Sequence, residues 1–209
     1  MRTTAILPVK SFSAAKQRLR DDLRPERRQE LVEAMFTDVL MALRATTADL
    51  IVVVTGFPAA RQIAAEHGAQ VVEDRETGHN DAATIGIRAA LAAGAERALL
   101  VPGDCPAVDP REVDELLGRP ATAPSVLIVP DRHGTGTNAL LLTPPDALEP
   151  SFGPGSCQRH VEHAQARGVQ AEVVEVSSLA LDIDTPEDLD ALAAQPESGG
   201  RTGRLLTKC

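Results

Sequence analysis

Runs of apolar residues, separated by turn-forming residues, divide the chain into short strands and amphipathic helices. Thr3 to Val9, Leu50 to Thr55 and Ala98 to Val101 are apolar runs rich in Val, Ile and Leu. Such runs are typical of strands buried on both faces of a parallel sheet. Pro25 to Leu43 instead repeats apolar residues at four-residue steps after an opening proline, which predicts a long amphipathic helix.

The rest of the chain continues this alternation and predicts an α/β fold. Further helices are expected over Pro58 to Glu66, Asn80 to Ala93, Pro110 to Leu117 and Ser156 to Arg167. Further strands are expected over Gln70 to Glu73 and Glu172 to Val176. The runs Val126 to Val129 and Ala139 to Leu142 are joined by a link too short for a parallel crossover. We therefore predict a mixed, mostly parallel sheet with helices on both faces.

Length and composition limit the domain organisation. The chain has 209 residues, enough for one domain with its own core, which we expect over residues 1–194. Pro, Ser, Gly and Thr dominate from Gln195 onward, so residues 195–209 are predicted to be a disordered tail.

Charge and cysteine content exclude several classes of partner. The net charge is −9 and aromatic residues make up 2%, which argues against binding to nucleic acid or to an anionic membrane surface. Cys105, Cys157 and Cys209 show no metal-ligand spacing, and an odd number is a poor disulfide framework. There is no signal peptide and no apolar run of about 20 residues, so we expect a cytoplasmic protein.

Carboxylates at the ends of predicted strands are the first candidates for chemistry. Asp104 follows the run Ala98 to Val101 after Pro-Gly, and ligands of open α/β sheets bind outside the carboxyl ends of strands. Asp182 and Asp184 alternate on an extended segment, interpreted as another strand end, just before a helix start at Thr185. Together these carboxylates suggest a divalent metal that holds a phosphorylated substrate.

Basic and polar residues in three loops are candidates for binding that substrate. Lys10, Lys16 and Arg18 follow the first strand and would suit a triphosphate, although a solvated basic loop is an equally good interpretation. Asn80 or Asp81 is expected to cap a helix, and Asn80 could instead hold a ribose or a base edge.

The Gly-rich turn before Ser156 predicts an anion-binding site at a helix start, where Ser156 could both cap the helix and contact a phosphate. His160 and His163, on the same helix, are expected to be surface residues rather than metal ligands.

Several of these motifs together resemble one enzyme family. They are Leu7-Pro8-Val9-Lys10-Ser11-Phe12 with Ala15-Lys16-Gln17-Arg18-Leu19, the turn around Asp104, the loop Gly134 to Leu140, Phe152 to Ser156, and Asp182 to Leu189. The chain thus resembles nucleotidyltransferases of the Rossmann-like nucleotide-diphospho-sugar transferase fold. More specifically, it is similar to the CofC/FbiD family of guanylyltransferases, which act on 2-phospholactate or phosphoenolpyruvate in biosynthesis of coenzyme F-420.

The resemblance implies roles for individual residues. It implies that Thr137, Gly153 and Ser156 bind the phosphorylated three-carbon acid. It implies that Asp104, Asp182 and Asp184 hold Mg²⁺. Lys10, Lys16 and Arg18 would contact the GTP phosphates and Asn80 would lie near the nucleoside, with Lys10, Lys16 and Asp104 as the catalytic group. A functional coupling to the downstream transferase of the pathway is also implied.

Three alternatives to the expected transfer of GMP to phosphoenolpyruvate remain open at this point. The acceptor could be 2-phospho-L-lactate, because the two acids share a phosphate and a carboxylate and differ only at the third carbon. The enzyme could instead act on a sugar phosphate or on the molybdenum cofactor with the same fold. A catalytically silent nucleotide-binding module is a third possibility, although a binder needs no multi-carboxylate metal site.

Overall fold

The computed structural model describes residues 1–10, 12, 16–74, 78–194 and 200–207. Ser11 and Ala15, which contribute to the family resemblance, lie outside these residues, as does Cys209. The described strands are β1 (Thr3–Pro8), β2 (Leu50–Val54), β3 (Gln70–Val72), β4 (Arg97–Leu100), β5 (Ser125–Pro130), β6 (Thr137–Thr143) and β7 (Gln170–Val173).

The described helices alternate with these strands through most of the chain. They are α1 (Pro25–Arg44), α2 (Pro58–Glu66), α3 (His79–Ala92), α4 (Pro110–Gly118), α5 (Ser156–Ala166), α6 (Pro186–Ala193) and α7 (Arg201–Leu206), with short 3-10 turns at Gln17–Leu19 and Ser177–Leu179. Proline opens α1, α2, α4 and α6, where its missing N–H costs no helical hydrogen bond.

The seven described strands form one sheet in the order β3-β2-β1-β4-β6-β5-β7. All neighbouring pairs are parallel except those of β6, which runs antiparallel to both β4 and β5. The link between Pro130 and Thr137 is too short to cross the sheet and return, so the chain must reverse there. The predicted mixed, mostly parallel sheet is therefore confirmed.

Both faces of the sheet are covered by helices. Along β1, Ala5 and Leu7 pack into the core formed with α1, α2 and α4, whereas Ile6 packs into the core formed with α3 and α5. Adjacent side chains of a strand point to opposite faces, so a strand covered on both sides must be apolar throughout. This explains why β1, β2 and β4 appear in the sequence as continuous apolar runs.

Some predicted boundaries and caps differ from the structure. The N-cap of α3 is Gly78, and neither Asn80 nor Asp81 caps that helix. The last strand lies at Gln170–Val173 rather than at Glu172 to Val176. Asp182 and Asp184 lie on an irregular segment outside the described strands, so the interpretation as a strand end is wrong.

The C-terminal segment differs from the predicted disordered tail over residues 200–207. Asp38 on α1 accepts hydrogen bonds from the backbone N–H groups of Arg201 and Thr202, each at 2.8 Å, and Leu205 and Leu206 pack against the core. The cap comes from a residue 163 positions away, so no local pattern reveals it. Residues 195–199 and 208–209 lie outside the described part of the chain.

Asp188 fixes the segment that carries Asp184. Its Oδ2 accepts hydrogen bonds from Asp184 N at 2.9 Å, Thr185 N at 2.7 Å and Thr185 Oγ1 at 3.0 Å, and its Oδ1 lies 2.6 Å from Arg132 Nη2. Thr185 and Asp188 form the capping box of α6, which confirms the predicted helix start. The backbone at Asp184 is thereby held in one position.

Among the described helices, none combines the length and the hydropathy that a membrane-spanning helix requires.

The substitution Gly86→Ala tests how tightly α3 packs on the sheet. A Cβ at Gly86 would lie 2.2 Å from Ile6 Cγ2 and 3.2 Å from Val54 Cγ2. We expect Gly86→Ala to lower the free energy of unfolding by about 1–3 kcal/mol through overpacking, despite the better helix propensity of alanine. Urea unfolding measures this change. Gly118→Ala is the matched control, because a Cβ there meets no atom of the described residues within 4 Å. Equal stability of the two variants would contradict the expected close contact.

The hydrogen bonds to Asp188 predict a pH-dependent contribution to stability. Burial alone would raise the pKa of Asp188, but hydrogen bonds from Asp184 and Thr185, with the nearby Arg132 guanidinium, lower the pKa below its ordinary value. The carboxylate therefore stabilises the fold fully above the unfolded-state pKa of about 3.9, and this contribution is lost as the pH falls through the folded-state value.

We expect Asp188→Ala to cost about 1–3 kcal/mol at pH 7, with the difference from the parent protein shrinking as the pH falls below about 4. Asp190→Ala, an exposed aspartate on the same helix, is the control and should change stability by less than about 0.5 kcal/mol. A constant difference between pH 7 and pH 3, measured by urea unfolding, would contradict this assignment.

Candidate active site at the carboxyl edge of the sheet

The sheet topology brings three functional segments to one edge. β1 and β4 are parallel neighbours, so the loops that carry Lys10 and Asp104 leave the sheet at the same edge. β6 runs in the opposite direction, so its first residue, Thr137, lies at that edge as well. This is the edge at which ligands of open α/β sheets bind.

Lys16 joins two carboxylates from distant parts of the chain. Its Nζ lies 2.5 Å from Asp104 Oδ2 and 2.8 Å from Asp184 Oδ1. The Lys16 side chain is only 6% exposed, whereas those of Asp104 and Asp184 are 29% and 46% exposed. The ammonium is therefore buried beneath two carboxylates that remain accessible to a ligand.

The charge of Lys16 is stabilised by this arrangement. Burial of the ammonium lowers its pKa, but the charges of Asp104 and Asp184 and their hydrogen bonds more than offset this and raise the pKa above its ordinary value. Lys16 also has a φ of 54°, in the left-handed region that a residue with a Cβ rarely adopts. Such backbone strain is found preferentially at functional sites.

Asp182 lies beside this group and is oriented by Asn138. The amide nitrogen of Asn138 donates to Leu179 O at 2.8 Å, to Ala180 O at 3.2 Å and to Asp182 Oδ1 at 3.3 Å. Burial raises the pKa of Asp182, and the charge of Asp104 raises it further. Ile183 N donates to Asp104 O at 3.1 Å, which ties the two acidic segments together.

The predicted three-carboxylate metal site is only partly assembled. Within the described residues, no group of three or more His, Cys, Asp or Glu side chains is arranged to hold a metal ion. Asp104 and Asp184 do converge, on Lys16, and Asp104 Oδ1 is buried without a hydrogen-bond partner in the described part of the chain. Oxygen ligands of this kind suit Mg²⁺, which is commonly bound by one or two carboxylates plus substrate phosphates.

A cleft of about 200 Å³ opens beside the Lys16 group. Lys10, His79, Asp104 and Asp184 are among its lining residues. His79 was not identified from the sequence; burial lowers its pKa, and Lys10 lowers it further, against the opposing charges of Asp104 and Asp74. Arg18 is exposed on the 3-10 turn Gln17–Leu19 and is not one of the described residues that line this cleft.

A second group of polar side chains surrounds the start of α5. Ser156 Oγ lies 3.1 Å from Thr137 Oγ1, and Thr137 Oγ1 lies 3.0 Å from His160 Nδ1. Ser156 and His160 are fully buried, whereas Thr137 is partly exposed. The prediction that His160 is a surface residue is therefore wrong, because the loop at 151–155 folds over it; His163 is exposed as expected.

Side chains from two helices hold that loop. Asn80 on α3 donates to Phe152 O at 3.3 Å and accepts from Phe152 N at 2.7 Å. Arg159 on α5 donates to Ser151 O at 2.8 Å and to Pro154 O at 3.0 Å. The amide of Asn80 is thus engaged with the backbone of Phe152, and its contact with a nucleoside stays a prediction.

The expected anion site at the start of α5 differs in detail from the prediction. Gly155 is the N-cap with a φ of 69°, and Gly153 has a φ of 118°, so both positions favour glycine. The N-cap position is occupied by a glycine, which has no capping side chain, so Ser156 is not the cap. The N–H of Ser156 donates to Gly153 O and that of Cys157 to Thr135 O, so these two amides are already engaged. Thr137, partly exposed, is the member of the Thr137–Ser156 pair that a ligand can reach.

Two aromatic contacts connect the cleft with the start of α5. The Phe152 ring packs edge to face against His79 at a centroid distance of 5.1 Å and against His160 at 5.5 Å. The structure therefore brings together Lys16, Asp104 and Asp184 in one group, and Thr137 and Ser156 in a second. His79, Asn138 and His160 belong to these groups and were missed, since their partners are distant in sequence.

Comparison with known proteins identifies relatives along nearly the full chain. Residues 3–202 match the family model described as "Guanylyl transferase CofC like". The chain is 50% identical over 195 residues to a phosphoenolpyruvate guanylyltransferase of Conexibacter woesei, covering 92% of this chain and 87% of that protein. It is 36% identical over 194 residues to a 3-phospho-D-glycerate guanylyltransferase of Colwellia psychrerythraea, covering 92% of each.

Solved structures with the same fold are more distant in sequence. A nucleotidyl transferase from Methanothermobacter thermautotroptrophicus is 18% identical with a TM-score of 0.72, covering 100% of this chain and 99% of that one. A Mycobacterium tuberculosis H37Rv protein in complex with manganese is 21% identical with a TM-score of 0.57, covering 91% and 97%. Similarity at this level shows the fold, and this fold is the one predicted from the sequence.

The family model and the curated relatives show the family. This chain is a nucleotidyltransferase and belongs to the CofC-like guanylyl transferase family.

Proposed function

We propose that the protein transfers GMP from GTP to phosphoenolpyruvate, releasing pyrophosphate and forming enolpyruvyl-diphospho-guanosine, in the cytoplasm and in biosynthesis of coenzyme F-420. The observation that carries the proposal is the Lys16 ammonium held between Asp104 and Asp184 at the mouth of a cleft. The activated product would pass to the downstream transferase of that pathway.

The reaction needs positioning and charge neutralisation more than covalent help from the protein. An oxygen of the acceptor phosphate attacks the α-phosphorus of GTP in line, and the bond to the bridging oxygen breaks as pyrophosphate leaves with the electron pair. Lys10 and Lys16 line the cleft and would neutralise the charge that accumulates on the phosphates. Arg18, exposed on the 3-10 turn Gln17–Leu19, is proposed as a further cation for the GTP phosphates.

We propose that Asp104 and Asp184, with Asp182 beside them, hold Mg²⁺. The buried Asp104 Oδ1 without a partner in the described chain, and the attraction of this pair for the Lys16 ammonium, both favour a cation here. The manganese complex of a protein with the same fold is consistent with a divalent ion. Bound Mg²⁺ would supply Lewis-acid polarisation of the transferred phosphoryl group.

Thr137, Gly153 and Ser156 are proposed to receive the acceptor, and Asn80 to lie near the nucleoside. Thr137 is a partly exposed residue, and a Cβ at Gly153 would meet no described atom within 4 Å, so there is room for a small anion beside them. Phosphoenolpyruvate is favoured over other acids because the relative at 50% identity acts on it. The relative that acts on 3-phospho-D-glycerate makes that acid a second candidate.

A competition assay tests the acceptor. The protein is incubated with GTP, Mg²⁺ and equal concentrations of phosphoenolpyruvate, 2-phospho-L-lactate and 3-phospho-D-glycerate, and the guanylylated products are resolved by mass. We expect the enolpyruvyl product to dominate by about 10-fold or more, since small shape differences around one carbon are worth about 1–3 kcal/mol.

Other outcomes of that assay distinguish the alternatives. A dominant lactate or glycerate product would replace the acceptor and leave the reaction class intact. Pyrophosphate release only with a sugar phosphate or a molybdenum-cofactor precursor would overturn the proposed substrate class. Binding of GTP without pyrophosphate release on any acceptor would indicate a silent binding module.

Asp104→Asn tests the metal site. We expect kcat to fall by at least about 100-fold at saturating Mg²⁺, because the loss of one charged ligand removes several kcal/mol of transition-state stabilisation. The variant should still fold, but with a lower melting temperature, because the buried Lys16 ammonium loses one of its two ion pairs; turnover is therefore measured well below that temperature. Asp109→Asn is the matched control in the same loop: Asp109 caps α4 by accepting from Arg111 N, and asparagine caps equally well. Normal turnover of Asp104→Asn would exclude Asp104 from catalysis.

A further inference from the structure

His160 lies at the centre of the polar group at the start of α5 and has no assigned role. Its side chain is fully buried, and both ring nitrogens have partners. Nε2 lies 2.9 Å from Ser151 N, and Nδ1 lies 3.0 Å from Thr137 Oγ1. A buried, fully bonded imidazole of this kind has a defined protonation pattern, which can be deduced from its partners.

The partner of Nε2 fixes the tautomer of the ring. A backbone N–H can only donate, so Nε2 must accept from Ser151 and carries no proton. Burial lowers the pKa of His160 to about 4, with Arg159 and His163 lowering it further, so the ring is neutral at pH 7. The single ring proton is therefore on Nδ1, which donates to Thr137 Oγ1.

This donation determines what Thr137 can offer to a ligand. Ser156 is fully buried, and its hydroxyl donates to Thr137 Oγ1 at 3.1 Å. Thr137 Oγ1 thus accepts from two donors, so its own hydroxyl proton is used by neither. Thr137 is the partly exposed member of the group and lies at the edge of the sheet, so this proton is the one left for a ligand there.

We infer that His160 is a positioning residue for the acceptor: through its Nδ1–H it fixes the hydroxyl of Thr137 as a hydrogen-bond donor toward the anionic groups of the phosphorylated acid. This inference rests on the proposed contact between Thr137 and the acceptor. In the opposite tautomer Thr137 would donate to the ring and would present only lone pairs to an anion. An anion is bound by donors, so the tautomer decides whether this site attracts the acceptor.

The loop that covers His160 has other supports, so the role of the ring can be separated from loop folding. Arg159 and Asn80 hold Ser151, Phe152 and Pro154 independently of the imidazole. Loss of the Ser151–His160 hydrogen bond alone should leave the loop in place. The bond to Thr137 can then be tested with one variant that can still donate to Thr137 and one that cannot.

The first measurement is the tautomer in the intact protein without substrate. In the ¹⁵N-histidine-labelled chain, which has five histidines, the His160 ring is assigned by its loss in His160→Asn. Long-range ¹H–¹⁵N spectra at pH 7 should show a protonated Nδ1 and a bare Nε2. A proton on Nε2, or a charged ring, would overturn the inference regardless of whether the proposed reaction occurs.

The second measurement compares His160→Asn with His160→Leu. Both variants lose the acceptor for Ser151 N, but only asparagine can still offer an N–H near the position of Nδ1. We expect His160→Leu to raise KM for the acceptor by about 10- to 100-fold, with KM for GTP and kcat nearly unchanged, as for the loss of uniform substrate binding. His160→Asn should stay within about 3-fold of the parent protein.

A Thr137→Val background completes the test. If His160 acts through the Thr137 hydroxyl, His160→Leu should add little to KM for the acceptor once that hydroxyl is gone. Three outcomes would each assign His160 a merely structural role. They are equal effects of the Asn and Leu variants, additive effects in the Thr137→Val background, and a parallel rise in KM for GTP. An inactive parent protein would reject the proposed function, while the tautomer measurement would still decide the protonation pattern. That measurement also decides the inference if His160→Leu does not fold.

Discussion

One buried ammonium holds the acidic edge of this protein together. Lys16 reaches Asp104 and Asp184, which lie 88 and 168 residues away in sequence, and brings the loop after β1, the loop after β4 and the segment before α6 to one point. Without a cation between them, clustered carboxylates would repel one another and disfavour the closed arrangement. A left-handed backbone at Lys16 costs about 1–3 kcal/mol, which the two ion pairs must offset for this geometry to persist.

The reversed strand β6 determines where the second half of the site can lie. In a purely parallel sheet the first residue of a strand lies at the edge opposite the ligand. Because β6 runs antiparallel to β4 and β5, Thr137 begins at the same edge at which Asp104 follows β4. Asn138, the next residue, then reaches the backbone at Leu179 and Ala180 and orients Asp182. One strand reversal thus links the acidic group to the start of α5.

Local patterns predicted the sheet and the helices on both of its faces better than they predicted contacts between residues distant in sequence. Continuous apolar runs and proline-initiated helices depend on short-range physics, and they match β1, β2, β4 and α1 closely. The sequence predicts Asn80 or Asp81 as a helix cap, or Asn80 as a nucleoside contact, whereas Asn80 binds the backbone of Phe152, 72 residues away, which no local pattern reveals. The order at residues 200–207 was missed for the same reason, since its cap is Asp38 on α1.

The environment of His160 was also beyond the reach of sequence patterns. Helical spacing located it correctly on α5, but its burial depends on the loop at 151–155, which is held by Asn80 and Arg159. The two groups of site residues, one around Lys16 and one around Thr137, are held together by different interactions. The group around Lys16 depends on full charges, whereas the group formed by Thr137, Ser156 and His160 depends on hydrogen bonds between neutral side chains.

The protonation of the group around Thr137 does not change near neutral pH. With a pKa of about 4, the His160 ring gains a charge only in acid, so its hydrogen bonds with Ser151 and Thr137 keep one pattern at neutral pH. Its Phe152 neighbour also contacts His79, whose pKa is likewise lowered by burial. The path from the cleft to the start of α5 therefore consists of neutral rings. Charged contacts with the substrate are therefore expected at the cleft, where Lys10, Asp104 and Asp184 are among the lining residues, and hydrogen bonds from neutral groups are expected at Thr137.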